Sequence, residues 1–268
     1  MVTDREYRHE LEFIFQSLCS KIASQEASAC IANGREVTSD IICMFETSIR
    51  SPDISNRLRY ASMLVSTRQY ERASALLETI ERMITSSMIK NTQLFKQGIN
   101  AVSNLDQRPQ KSSSTYILME YAGNIFFDIV FGSSEIYCVP CHLRCERYRA
   151  ITEDEIKVPD LHLCGNNINL VFLSNANAFL YYLQCLSSKN DDKKRLALVK
   201  VYYFCLGELQ NQTSDHVATA LNMLGHVAEL QIDFPGAWAL YKISVAIKPH
   251  YNAAYWHLFR LFGRIVYS

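Results

Sequence analysis

The string Cys138-Val139-Pro140-Cys141-His142 comes closest to a known chemical signature in this sequence. It spells a c-type haem attachment site, and Cys145, His162 and Cys164 add enough sulfur and imidazole donors for a zinc site to be drawn. Cys141 and Cys145 would share one face of a helix, with His162 and Cys164 following one residue apart. Haem attachment, however, needs a secretory route and a distal ligand, and a redox Cys-x-x-Cys pair normally sits in a βαβ setting that is missing here. The 9 cysteines are an odd number in a chain of 268 residues, which suits free, small, buried hydrophobes better than bridges or ligands. No metal and no cofactor are expected.

Other catalytic signatures are equally sparse. None of His9, His142, His162, His216, His226, His250 and His257 lies in a metalloprotease or nucleophile-base string, and there is no Gly-x-Ser-x-Gly elbow or glycine-rich phosphate loop. Gly132-Ser133-Ser134-Glu135 is the glycine-serine turn of note, but no close Asp or Glu pair follows it to hold the two metals of nucleotidyl transfer. With 27 basic and 27 acidic side chains the net charge is zero, which supplies no broad attraction for nucleic acid or anionic lipid. The short basic clusters Arg144, Arg147, Arg149 and Lys193, Lys194, Arg195 read as solvated helix faces. The charged start lacks the apolar run of a secretory signal, and the uncharged stretch from Gly165 to Ser188 carries five asparagines that hydrocarbon would penalise. A cytoplasmic, non-enzymatic chain without nucleic-acid or membrane partners is expected.

The elements that would position these residues are helices. Hydrophobic residues make up 49% of the chain against only 9 glycines and 6 prolines, too few turn-formers for a barrel. Tyr7, Leu11, Ile14, Phe15, Leu18 and Ile22 recur at three- and four-residue steps and predict an amphipathic helix from Asp4 to about Ala32, ended by Asn33-Gly34. Further helices are expected over 37–49, 54–66, 71–88, 116–139, 143–151, 168–186 and 193–209, with a short strand as the alternative near Ile125 to Val130. The polar run 104–114 reads as a mobile linker between residues 1–103, with one degenerate repeat, and a repeat region over 115–268.

The strongest pattern is an internal repeat. Residues 218–251 fit the 34-residue helix-turn-helix of tetratricopeptide units, with Gly225 and Ala237 as the small residues where two helices meet. Leu221, Leu224, Ala228 and Tyr241 fill the surrounding space, Asp233 caps the second helix and Pro249 ends it. Ala61 and Ala73 repeat the spacing of twelve, with Leu58, Leu64 and Leu77 around them, and Ala178, Tyr181 and Ala197 form a stretched copy. Residues 252–268 should form a capping helix, because Phe259 replaces the small residue. The expected fold is all-α, a right-handed tetratricopeptide-like α-solenoid. Asn222, His226 and Glu229 share a stripe of the best unit, which makes them the candidate lining of a groove for a protein or peptide partner.

Several strings resemble a known family. Residues 58–73, 135–149, 179–186 and 252–262 are similar to the C-terminal helical region of male-abnormal twenty-one-like proteins, relatives of the cyclic GMP-AMP synthase type of nucleotidyltransferase. The resemblance runs from about Ile54 onward and implies the helical appendage without the catalytic core, since too few residues precede Ile54 to hold that core. Two functions follow as expectations: a non-enzymatic helical-repeat module for protein interaction or, alternatively, an accessory region of a nucleotidyltransferase involved in innate immune sensing.

Overall fold

The computed structural model describes residues 4–51, 53–84, 128–148, 172–211 and 216–266. These are mostly helical: α1 (Asp4–Ala32), α2 (Ser39–Ser48), α3 (Ile54–Ser66), α4 (Tyr70–Met83), α5 (Ala176–Ser187), α6 (Asp191–Asn211), α7 (Val217–Leu230), α8 (Phe234–Ile247) and α9 (Ala254–Val266). The predicted ends of α1 and α3 match, and Gly34 closes α1 at φ 64° while Arg35 N–H reaches back to Cys30 O. The expected linker at 104–114 lies outside the described residues, and one apolar core joins residues from both sides of it, from Ala23 to Val227.

Four helical expectations need correction, the simplest being α4, which ends at Met83, with Ile84 extended, and not at Met88. The stretch 128–139 is not an α-helix, and near Ile125 to Val130 the strand alternative is the one observed: β1 (Asp128–Phe131) pairs antiparallel with β2 (Phe172–Asn175), Ile129 facing Ser174 and Phe131 facing Phe172. Helix α5 therefore starts only at Ala176, where the Asn175 side chain accepts from Asn177 N–H. A short, fully buried apolar run has no amphipathic period, so the sequence pattern alone does not separate strand from helix there. Residues Ser133–Cys138 and Cys141–Tyr148 form two 3-10 segments in place of the α-helix expected over 143–151.

The face of α1 is also inverted relative to the usual rule. The stripe Leu11, Ile14, Phe15, Leu18 and Ile22 points outward, with Leu11 66% exposed, and the edge that packs inward carries Cys19, Ser20, Ala23, Ser24, Ala27 and Ser28. Small residues let neighbouring backbones come close, and one of the serines serves the first 3-10 segment: Tyr137 N–H donates to Ser28 Oγ at 3.1 Å.

The pairs α3–α4 and α7–α8 are built alike. Each joins its helices through three residues whose middle one is left-handed, Arg68 at φ 61° and Ile232 at φ 63°. Each turn closes with the same bond, Gln69 N–H to Leu64 O at 2.8 Å and Asp233 N–H to Ala228 O at 3.0 Å. Ala61, Ala73 and Leu77 are fully buried in the first pair, as are Ala237 and Tyr241 in the second. Asp233 caps α8 through Gly236 N–H at 2.9 Å, with proline in the first turn.

Candidate functional site

Helix α7 is buried from Val217 to Glu229, so its polar side chains need partners inside the protein. Asn222, His226 and Glu229 do share a stripe, but it does not line an open groove. Glu146, fully buried on the second 3-10 segment, accepts from Asn222 Nδ2 at 2.8 Å and from Thr219 Oγ1 at 3.2 Å. Asn252, in the loop before α9, accepts from Ala254 N–H at 2.8 Å and donates to Ser244 O at 2.8 Å, knitting the ends of α8 and α9 together. Asn222 Nδ2 also approaches Asn252 Oδ1 at 3.4 Å.

His226 occupies the middle of the stripe. Its ring stacks on His142 with centroids 3.5 Å apart, and its Nδ1 lies 2.7 Å from the Tyr182 hydroxyl. Burial, reinforced by the neighbouring His142, Arg260 and His257, holds the His226 pKa down to about 2; burial, reinforced by Arg260, His257 and Arg264, holds His142 down to about 3. Both imidazoles are thus neutral at ordinary pH. Burial raises Tyr182 well above the usual phenol range, so its hydroxyl donates to His226 Nδ1. Among the described residues His226 Nε2 has no hydrogen-bond partner.

Glu229, at the end of the stripe, is a binding centre for its own protein. Tyr241 donates to its carboxylate at 2.7 Å, Arg264 reaches the other oxygen at 3.1 Å, and Arg260 completes the set. The ring of Tyr241 lies against Gly225, where a Cβ would sit 2.5 Å from a ring carbon, and stacks on His257 at 5.0 Å. Glycine at 225 is therefore required by an aromatic ring, not by the alanine expected to meet it. Arg260, Arg264, His257, Glu146 and Tyr182 were not singled out by the sequence pattern. Only the four-residue step between Arg260 and Arg264 was a local signal; Tyr182 and Glu146 lie 44 and 76 residues from the stripe residues they meet.

The drawn zinc set does not converge where it is described. Cys138 points toward α1, its thiol donating to Ser24 O at 3.2 Å, and burial pushes its pKa up to about 12. Cys141 is exposed beside His142 Nδ1 at 3.4 Å, and burial raises the half-buried Cys145. His162 and Cys164 lie outside the described residues. Among the described residues no three His, Cys, Asp or Glu side chains gather as a metal site, and no helix is long and apolar enough to cross a membrane. The acid of the glycine-serine turn is structural: Glu135 accepts from Gly132 N–H at 2.9 Å and pairs with Lys21 at 2.7 Å and Arg59 at 3.4 Å.

What stays open to a partner is apolar and lies on the outside. Besides the stripe of α1, helix α9 exposes Tyr255, Trp256, Phe259, Phe262 and Val266 while burying Ala254, His257 and Leu261. Compared with protein-family models, curated proteins and solved structures, the chain matches none.

Proposed function

We propose that the chain is a non-enzymatic, tetratricopeptide-like helical-repeat module that binds a protein partner, and that the partner docks on the outer face of α1. The observation that carries this reading is the inverted stripe. Leu11, Phe15, Leu18 and Ile22 follow one another at steps of four, three and four, the spacing of a helix-docking seam, and they remain exposed although α1 is already packed along its small-residue edge. A partner presenting its own amphipathic helix fits that seam. The repeated turn and small-residue register of α3–α4 and α7–α8 support the helical-repeat part. Glu135, the acid of the glycine-serine turn, is committed to Lys21, Arg59 and a backbone N–H, which supports the non-enzymatic part.

The test places a photo-crosslinking residue at Phe15 in cells, with exposed Asp192 on α6 as the control site. Discrete protein adducts at Phe15, absent at Asp192 and lost with Leu18→Glu while helical content is unchanged, support the docking face. Equal labelling at both sites, or none at Phe15, overturns it. The purified chain is further expected to form no oligonucleotide from ATP and GTP with magnesium or manganese. Turnover that disappears on substituting one of its acidic residues would overturn the non-enzymatic reading.

A further inference from the structure

We infer that α9 is the self-association face of this protein, pairing antiparallel with α9 of a second copy about a two-fold axis near Leu261. The arc formed by Tyr255, Trp256, Phe259, Phe262, Gly263 and Val266 contains no charged residue, and it lies opposite the edge that buries Ala254, His257 and Leu261. Its size fits a specific pair. Phe259 is 77% exposed, Trp256 59%, Phe262 55%, Val266 54% and Tyr255 49%. Taking about 200 Å² for a fully exposed aromatic, these side chains offer roughly 600 Å² per chain. Two stripes covering one another remove roughly 1,200 Å², the lower bound for a stable specific interface.

Shape favours a second copy as the occupant. Gly263 sits inside a helix, where glycine is disfavoured relative to alanine, yet a Cβ there would meet nothing within 4 Å among the described residues. Packing within the chain does not demand it, whereas the close approach of another helix does. In the antiparallel register centred on Leu261, Phe259 falls opposite Gly263 of the second copy and Trp256 opposite Val266, so large meets small at both positions and their symmetry mates. Arg260 and Arg264 border the arc on one side and share the single carboxylate of Glu229, which draws both away from the apolar surface. This face is separate from the α1 seam, and its test does not depend on that reading.

Sedimentation equilibrium of the purified full chain over a micromolar concentration series measures the association directly. The wild type is expected to form dimers. Phe259→Asp should raise the dimer dissociation constant at least about tenfold, and Gly263→Leu, which fills the notch, should act in the same direction. Because Phe259 and Gly263 lie outside the core, both variants should keep the parent circular dichroism spectrum and a single cooperative urea transition. Leu11→Asp, on α1, should leave the constant unchanged. A wild type that stays monomeric throughout assigns the stripe to another occupant and overturns the proposal, as do dimers that survive Phe259→Asp or that dissociate with Leu11→Asp instead.

Discussion

The two helix pairs α3–α4 and α7–α8 share a register and a turn, yet their interiors obey different chemistry. Val65 and Leu77 occupy in the first pair the positions that Glu229 and Tyr241 occupy in the second. An apolar couple is thus replaced by a hydrogen-bonded acid and phenol, and the acid reaches beyond its own pair to the arginines of α9. The first pair meets its neighbours through the apolar core, through buried Arg59, which donates to Val130 O at 2.8 Å and pairs with Glu135 at 3.4 Å, and through surface charges, Lys189 on Glu71 at 2.7 Å and Lys193 on Glu78 at 2.5 Å. Such exposed pairs add little, whereas a buried carboxylate leaves the next helix few ways to sit. Both pairs thus use a buried carboxylate–arginine contact, but for the first pair the acid comes from outside it, at Glu135, and for the second from within it, at Glu229.

Breaking the acid should have the largest effect. Glu229→Ala is expected to cost about 3 kcal/mol in urea unfolding, because the Tyr241 hydroxyl is left buried without its acceptor and two arginines lose their partner. Val65→Ala at the matching position should cost about 1–2 kcal/mol. Transplanting the apolar couple, Glu229→Val with Tyr241→Leu, should recover most of the loss. If the double variant is no more stable than Glu229→Ala, the two interiors are not interchangeable.

Overpacking gives the next effect. Gly225→Ala should cost about 1–3 kcal/mol, since the new methyl collides with the Tyr241 ring, and the cost should shrink when Tyr241→Leu is made first. Ala237→Leu should fall in the same range of about 1–3 kcal/mol, while Ala239→Leu, at an exposed position, should change stability by less than about 0.5 kcal/mol. Matching midpoints for the two alanine variants would refute the register of α8 on α7.

Acid should sharpen the contrast further. The folded-state pKa of His226 is held down to about 2, below its unfolded value of 6.5, so between these values the unfolded chain binds the extra proton. Stability is accordingly lost as pH falls below about 6.5, by up to about 1.4 kcal/mol per pH unit from this one group. His226→Gln, which cannot charge but can accept from Tyr182, should flatten the slope of unfolding free energy against pH between 3 and 6. The smallest effect is expected from the turns: Arg68→Gly and Ile232→Gly each relieve a left-handed residue, and a thermal scan should show each variant no less stable than the parent, by up to about 1 kcal/mol.

Local signals made much of the fold legible. The end of α1 at Asn33-Gly34, the limits of α3, the Asp233 cap and the twelve-residue spacing of small residues all depend on neighbours in sequence. Periodicity found the stripe of α1 but carries no information about which side of a helix meets the core, so the inversion could not be read. β1 was legible only as the alternative near Ile125 to Val130, and β2 not at all, because the pairing joins residues 41 to 47 apart and no polar alternation marks either strand. The polar interior was half legible: Asn222, His226 and Glu229 fell on one stripe, but Glu146, Tyr182 and the α9 arginines come from elements that meet α7 only in three dimensions.

The small-residue edge of α1 also sets an order of events during synthesis. Ser24 and Ser28 are met by Cys138 and Tyr137, which lie 114 and 109 residues further along the chain. At about 5–20 residues per second, a ribosome needs on the order of ten seconds to deliver them. For that interval the part of the inner edge that Cys138 and Tyr137 cover stays open, although α2 and α3 are already made, and the outer stripe is exposed among the described residues. Whatever shields this helix in the nascent chain must act within seconds and before the C-terminal helices exist.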